Sequence, residues 1–394
     1  MHRLIRGDKA RRPSYCADLN ILVNNAWMSV LCCYLSCREE AWNISTITIG
    51  SKLWGGREVE WVLPVSSTVL HLMRQQLISV DLSPIAMCTG LREIVLHKNR
   101  ILEIDLSPLA DCRSLEYLSL SSNRLTQVDL TPLGRCSSLQ VLDISENYVR
   151  RVDLGPLANC AQLEALSVAS NLIEEVDLSP LSRCKRMVAV SLKRNRLASV
   201  DLSPLRALTA LERLDLSENA LEHIDLGHLS SCSQLKELRL SRNRIKDLDL
   251  TPLENLHRLR LLDLSHNMLS RLSLSALSKC SDLSELDLSG NPTDSLDVSP
   301  LSHCVSLETI RIMGNGLRHL DLTPMSQLRN LSVLNIAENR LEQIDITPLA
   351  ECPHLELLQV DPSVNLVIDA ETADRKDLPL PVRRLIRDQR VSLR

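Results

Sequence analysis

Carboxylates and thiols recur along this chain at a spacing of 24 residues, as in "IDLSPLADC" (104–112) and "VDLSPLSRC" (176–184). The aspartates run from Asp81 to Asp345, and nine cysteines recur in one phase from Cys88 to Cys352. Clustered carboxylate oxygens favour a Ca²⁺ site, and clustered thiolates favour zinc or redox chemistry. The alternative hypothesis is that both rows serve only to hold the fold together, and the surrounding sequence favours it.

The chemistry is embedded in a long internal repeat. Residues 67–354 divide into twelve units of 24 residues without insertion or deletion, for example "LEYLSLSSNRLTQVDLTPLGRCSS" at 115–138. Counted from the first residue of each unit, positions 1, 4, 6, 11, 14, 16 and 19 are apolar, except at Ser67 and Thr293. The alternation at positions 4 and 6 predicts one short strand per unit, and the repetition predicts a parallel sheet. Positions 3, 5 and 7 are then expected to face outward.

The polar rows fit the turns of such a repeat. Position 15 is Asp in eleven units and Ser273 in the ninth, and Pro occupies position 18 in ten units. We expect the aspartate to accept a backbone hydrogen bond two residues on, and Ser or Thr at position 17 to cap a single helical or 3₁₀ turn. Asn at position 9, in eleven units, is expected to bond backbone groups where each strand ends.

The cysteine row indicates a hydrophobic slot. Where Cys is absent from position 22, the residue is Leu208, Leu256 or Leu328. A free cysteine behaves as a small hydrophobic residue in such a place. Parallel side-chain directions in adjacent coils also make disulfide geometry poor. The aspartate, cysteine and asparagine rows are therefore interpreted as scaffold.

The pattern L-x-x-L-x-L-x-x-N-x-L resembles the leucine-rich repeat family over about three quarters of the chain. The resemblance implies an α/β-type solenoid, with a parallel sheet on the concave face and short 3₁₀ or helical turns on the convex face. It also implies a concave face that binds proteins. The convex segment V-D-L-S-P-L-x-x-C stands where other 24-residue members carry I-P-x-x-L-G.

Four segments are predicted along the chain. They are an N-terminal leader (1–42) that is poorly ordered or a signal, an N-terminal cap (43–66), the solenoid with twelve full repeats and a partial one (67–362), and a C-terminal cap with a short basic helix (363–394). The leader combines a basic start with the apolar run "AWMSVLCCYLS" at 26–36, followed by Cys37, which leaves export or lipid anchoring open. No stretch reaches transmembrane length. The basic helix could alternatively lie on a membrane surface.

Composition and motifs narrow the function. The formal net charge of −4 predicts no strong attraction to nucleic acid or anionic lipid. The sequence contains no dinucleotide-binding, phosphate-loop, H-E-x-x-H or C-x-x-C pattern, so an enzyme or metal protein would rest on the Asp, Cys and His rows alone. We expect a monomeric, cytoplasmic, non-enzymatic scaffold that binds a protein or peptide, without cofactor, metal or nucleic acid. The alternative is an exported or envelope-anchored adhesion or receptor-type protein.

The variable outward positions of the strands are the candidate binding surface. Their first half is bland and partly apolar, whereas their second half is charged. The sign alternates from Asp215 through Arg239 to Asp263, and again between Asp287 and Arg311. Such alternation fits either mutual neutralisation across the sheet or an interface anchored by Arg and Tyr. The residues predicted to contact a partner are Tyr117, Val141, Arg213, Asp215, Arg239, Asp263, Asp287 and Arg311.

Overall fold

The structure, a computed structural model, describes residues 45–394. The predicted leader (1–42) and the first two residues of the predicted N-terminal cap lie outside the described residues. Each repeat contributes one three-residue strand and one 3₁₀ turn, so the chain winds as a solenoid in which a short strand alternates with a short turn. The predicted α/β-type solenoid is confirmed.

The strands of residues 45–394 form three sheets. The strands are β1 Thr46–Leu53, β2 Glu58–Pro64, β3 Val69–His71, β4 Leu77–Val80, β5 Glu93–Val95, β6 Tyr117–Ser119, β7 Val141–Asp143, β8 Ala165–Ser167, β9 Ala189–Ser191, β10 Arg213–Asp215, β11 Glu237–Arg239, β12 Leu261–Asp263, β13 Glu285–Asp287, β14 Thr309–Arg311, β15 Val333–Asn335, β16 Gln343–Asp345, β17 Leu357–Gln359, β18 Asn365–Ile368 and β19 Val391–Leu393. Thirteen of them build one parallel sheet in the order β17-β15-β14-β13-β12-β11-β10-β9-β8-β7-β6-β5-β3.

Neighbouring strands of the large sheet pair in register at the repeat spacing, as Leu118 does with Leu142. This in-phase pairing follows from the absence of insertions, because every unit presents the same position to its neighbour. We call the outward side of this sheet the concave face. The aliphatic rows fill the space between the sheet and the opposite wall, and most of their side chains are fully buried.

Twelve 3₁₀ helices form the opposite wall, which we call the convex face. They span Ser83–Met87, Ser107–Asp111, Thr131–Arg135, Gly155–Asn159, Ser179–Arg183, Ser203–Ala207, Gly227–Ser231, Thr251–Asn255, Ser275–Lys279, Ser299–His303, Thr323–Gln327 and Thr347–Glu351. Each turn buries its position-19 residue, for example Leu133, and ends at the position-22 residue, for example Cys136. Each unit of 24 residues thus contains one extended strand and one tightly wound 3₁₀ turn.

Separate elements close both ends of the repeat stack. At the N-terminal end, β1 pairs antiparallel with both β2 and β4, and it buries Ile47 and Ile49 against the first coil. At the other end, β16, β18 and β19 form a small parallel sheet, joined by the helices α1 Ala370–Ala373 and α2 Leu380–Arg387. Val382 of α2 is fully buried. These elements cover core that an open solenoid would expose.

Candidate functional site

The concave face presents the first and third residues of each strand, while the second residue is buried. The outward residues of β6 to β9 are small or apolar: Tyr117, Ser119, Val141, Asp143, Ala165, Ser167, Ala189 and Ser191. Ala165 and Ala189 are themselves buried, so this half of the sheet is a smooth, closely packed floor. The predicted bland half is therefore where the sequence places it.

Asp143 is the exception on this floor, since its side chain is only 5% exposed. Burial raises the pKa of the Asp143 carboxyl, against the opposing effect of hydrogen bonds from Ser145 and Ser121. The Ser145 backbone N–H and hydroxyl both donate to Asp143 Oδ1, at 3.0 and 2.6 Å. Asp143 lies between Ser119 and Ser167 of the neighbouring strands, and the burial of its carboxylate makes the charge costly there.

The second half of the face, on β10 to β14, carries the charged residues in one continuous row. In the third position of these strands, register places Asp215 opposite Arg239, Arg239 opposite Asp263, Asp263 opposite Asp287, and Asp287 opposite Arg311. The structure thus brings six of the eight predicted contact residues to one patch: the five of this row and Arg213 of β10. Tyr117 and Val141 lie on the apolar floor, several strands away.

The arginines of this row do not neutralise the aspartates of the row. Arg239 binds Glu237 of its own strand, and Arg311 binds Glu285 of the neighbouring strand. The aspartates instead accept hydrogen bonds from the serine two residues on, as Ser265 N–H and hydroxyl donate to Asp263 at 3.0 and 2.7 Å. The alternation in sign therefore does not produce Arg–Asp pairs, because first-position glutamates capture the guanidinium groups.

Two features of the charged half remain uncompensated within residues 45–394: a pair of like charges without a counter-ion, and a buried arginine nitrogen without an acceptor. Asp263 and Asp287 are like charges directly opposite each other, an arrangement that destabilises a sheet. Arg213 Nη2 is buried and has no hydrogen-bond partner among the described residues. Both features are what a surface would present if an external ligand supplied the missing charges and acceptors.

The aspartate row of the convex face works as a turn device. In all eleven aspartate-bearing units Oδ1 accepts the backbone N–H of position 17, and Ser273 Oγ takes the same role at 3.4 Å. The Ser179 hydroxyl and backbone N–H lower the pKa of Asp177. The expected cap by the Ser or Thr hydroxyl at position 17 is wrong: the aspartate accepts the first N–H of the turn, and the hydroxyl bonds back to the aspartate, as Ser203 does to Asp201 at 2.7 Å.

The nine cysteines of the repeat are free and fully buried. Each of the eight from Cys112 onward directs Sγ at the position-19 carbonyl of the preceding coil, as Cys136 does at 3.3 Å from Leu109 O. Burial raises the pKa of the Cys136 thiol to about 12. These thiols are weak internal donors and poor nucleophiles.

The asparagine row ties successive coils together. Asn171 Nδ2 donates to Val168 O and to Ile144 O of the preceding coil, and its Oδ1 accepts the Val149 N–H, all at 3.0 Å. The first unit carries Gln75 instead, which has no preceding coil to bond and lies exposed. The predicted role of the asparagines at the strand ends is present throughout the stack.

The histidines do not assemble a metal site in the described part of the chain. His71 and His97 lie near each other, but His71 Nε2 contacts Glu93 Oε2 at 3.2 Å. Burial, followed by the charges of Lys98, Arg74 and His71, lowers the pKa of His97. No group of three or more His, Cys, Asp or Glu side chains able to hold a metal ion occurs among residues 45–394.

The sequence patterns do not predict one feature of the backbone. Position 8 has a positive φ in every full unit, near 55° where the residue is not glycine. Only Gly290 and Gly314 have the residue type that signals this conformation. The chain leaves each strand through this left-handed residue, whose N–H in most units donates to the next coil, as Ser122 N–H does to Ser145 O at 2.9 Å.

Comparisons with known proteins agree with this architecture. The leucine rich repeat family model matches residues 113–173, 185–245 and 233–292. An internalin from Listeria monocytogenes is 25% identical, with a TM-score of 0.59 over 76% of this chain and 89% of that one. A leucine-rich repeat protein from Leptospira interrogans is 19% identical, with a TM-score of 0.64 over 82% of this chain and 95% of that one.

A plant peptide hormone receptor, solved in complex with RGF2, also shares the fold. It is 22% identical, with a TM-score of 0.54 over 75% of this chain and 59% of that one. No curated protein matches the sequence.

Fold and repeat together define a class of non-globular solenoid proteins that generally serve as binding scaffolds. This chain has the fold of a leucine-rich repeat solenoid, and its repeats match the leucine rich repeat family model.

Proposed function

We propose that this protein is a non-enzymatic scaffold that holds a protein or peptide partner on its concave face. The proposal rests on a difference between the repeated side chains and the variable ones. The repeated Asp, Cys and Asn rows are engaged in internal hydrogen bonds, whereas the variable outward residues of β10 to β14 include a like-charge pair and an unsatisfied arginine. The plant receptor with this fold was solved with a bound peptide, which supports the same use here.

The charged half of the concave face would provide specificity, and the apolar floor would provide contact area. Arg213, Arg239 and Arg311 are half-buried, and arginine is enriched at the energetic centres of interfaces. The scarcity of aromatic residues, 2% of the chain, favours a broad and polar contact. We expect the isolated protein to be monomeric and to bind without nucleic acid or a cofactor.

Affinity capture from a native lysate, followed by quantitative mass spectrometry, tests the proposal. The concave variant is R239E/R311E, which reverses two guanidinium groups of the charged half. The matched control is R183E/R206E, which reverses two exposed arginines of the convex face. We expect the concave variant to lose specific prey at least tenfold and the control to retain it. The new glutamates face Asp215, Asp263 and Asp287, so the thermal midpoint of the concave variant should fall, and capture is compared at a temperature at which both variants are folded. Equal prey on wild type and the concave variant would place the binding surface elsewhere.

The cellular location is proposed separately. We propose a cytoplasmic protein, and the competing hypothesis is an exported or lipid-anchored one, motivated by the basic start and the apolar run 26–36. No helix within residues 45–394 is both long and apolar enough to cross a membrane. Mass measurement of the N-terminal peptide from native cells distinguishes the two hypotheses. An intact Met1 peptide supports the cytoplasmic proposal, and cleavage or lipid attachment near Cys37 supports the exported one.

A further inference from the structure

An exposed tryptophan stands beside the first coils of the solenoid. Trp54 follows β1 at the tip of the N-terminal hairpin, just before the turn residues Gly55 and Gly56, and 55% of its surface is exposed. Its backbone N–H donates to Gln76 O at 2.8 Å, which holds it next to position 10 of the first units. A large indole left this exposed at a fixed place is informative, because such residues are usually mostly buried.

Two arginines from successive coils stack on the indole of Trp54. The Cζ atoms of Arg100 and Arg124 lie 4.5 and 5.2 Å from the ring centroid. Both occupy position 10, so the register of the repeat brings them together. Tyr148 is the next residue of the same row and is 52% exposed. Stacking covers a face of each guanidinium group and leaves its N–H edges available for planar acceptors.

No counter-charge accompanies these cations. Within residues 45–394, Arg100, Arg124 and the adjacent position-8 residues Arg74 and Lys98 form no ion pair. Two carboxylates of nearby units have other contacts, since Glu93 contacts His71 and Glu146 accepts a hydrogen bond from Ser122. Cations gathered on one surface repel each other, and a bound anion would relieve this repulsion.

We propose that this arginine–tryptophan surface, formed by Trp54, Arg100 and Arg124 with Arg74 and Lys98 on the adjoining loops, binds an acidic segment of a partner protein. Carboxylates match the free N–H edges of stacked arginines and can accept two parallel hydrogen bonds from each. The three coils involved span roughly 10 Å, which accommodates about three residues of extended peptide. The surface lies on the loops after the strands, so it does not depend on the proposed use of the concave face.

The extent of the surface favours a peptide over a nucleic acid. Position 8 changes from Lys98 to Ser122 and then to Glu146, so the positive charge ends within three coils. A nucleic acid backbone continues its charge beyond that length and would meet Glu146. The chain as a whole carries a net charge of −4, which opposes a polyanion further.

Fluorescence anisotropy with the full-length protein tests this proposal. The probes are a fluorescein-labelled decapeptide of alternating Glu and Gly, its Gln–Gly counterpart, and a ten-nucleotide single-stranded RNA, each at 50 and 150 mM NaCl. We expect the Glu–Gly peptide to bind best, and R100Q/R124Q to weaken it about tenfold. W54L, which keeps the charges but removes their platform, should weaken it about threefold.

The matched control is R244Q/R340Q, which removes two exposed arginines from the same repeat position in distant units. This control should leave binding of the Glu–Gly peptide within twofold of wild type. The proposal is overturned if R100Q/R124Q binds the Glu–Gly peptide as wild type does, or if the control loses as much affinity. Tighter binding of the RNA than of the peptide at 150 mM NaCl would also overturn it, in favour of a nucleic acid site.

Discussion

Removal of a single asparagine from the middle of the stack should be costly in a way that the structure quantifies. In an Asn171→Ala variant, Val149 N–H loses its acceptor and remains buried without a partner. The three carbonyls that Asn171 serves keep a second donor, since Asn147 also bonds Ile144 O and Asn195 also bonds Val168 O. The remaining carbonyl, that of residue 169, still accepts the N–H of residue 146.

The cost follows from this count. One orphaned buried N–H costs about 1–3 kcal/mol, and three weakened carbonyl contacts add roughly 0.5 kcal/mol each, so we expect a loss of about 3 kcal/mol. Urea unfolding followed by circular dichroism measures it, and hydrogen exchange should show the loss of protection at the Val149 amide. The control Arg150→Ala, on an exposed and unpaired side chain, should change stability by less than about 0.5 kcal/mol. A loss below about 1 kcal/mol for Asn171→Ala would refute the assigned role of the row.

Three further predictions concern single positions. Gly290→Ala should lower the free energy of unfolding in urea by about 2 kcal/mol, because φ is +69° and the new Cβ would lie 2.5 Å from His266 Nδ1. Gly314→Ala, whose new Cβ would have no atom nearer than 3.9 Å, should cost less than half as much. Equal costs for the two variants would contradict the predicted clash. Asp143→Asn should raise the urea midpoint at pH 7. Burial raises the folded-state pKa of the Asp143 carboxyl above its unfolded value. The gain in stability of the Asn variant over wild type should therefore shrink as pH falls through the folded-state pKa. A urea midpoint below that of wild type at pH 7 would contradict this prediction. Cys136 should resist iodoacetamide at pH 8 in the native protein and react in urea, as read by peptide mass spectrometry; rapid native labelling would contradict its burial.

Most of the solenoid can be predicted from the sequence, because the residues that form each strand and turn recur in every unit. The Leu rows at positions 4 and 6 predict the strands, and Leu208, at a position where cysteine stands elsewhere, predicts the hydrophobic slot. The left-handed residue at position 8 was not predictable, since residues such as Ser122 and Glu146 occupy it and have no preference for positive φ. The positive φ is imposed by the register between neighbouring coils, and the sequence of a single unit does not show that register.

The sequence predicts which charged residues lie side by side on the outward side of the sheet, but not which of them form ion pairs. Alternation in the strands correctly puts Arg239 and Asp263 side by side on the concave face. The partner choice depends on side-chain reach, because Glu237, two residues away on the same strand, takes the Arg239 guanidinium while Ser265 holds Asp263. The arginine–tryptophan surface joins the hairpin to two later coils, so only the folded chain brings it together.

Hydrogen–deuterium exchange of the protein with and without its captured partner tests most directly whether the repeated rows serve the scaffold and the variable strand residues serve binding. We expect new protection in peptides that contain β10 to β14, with unchanged exchange in the 3₁₀ turns that carry the Asp and Cys rows. Protection confined to those turns, with the strands unaffected, would contradict this expectation.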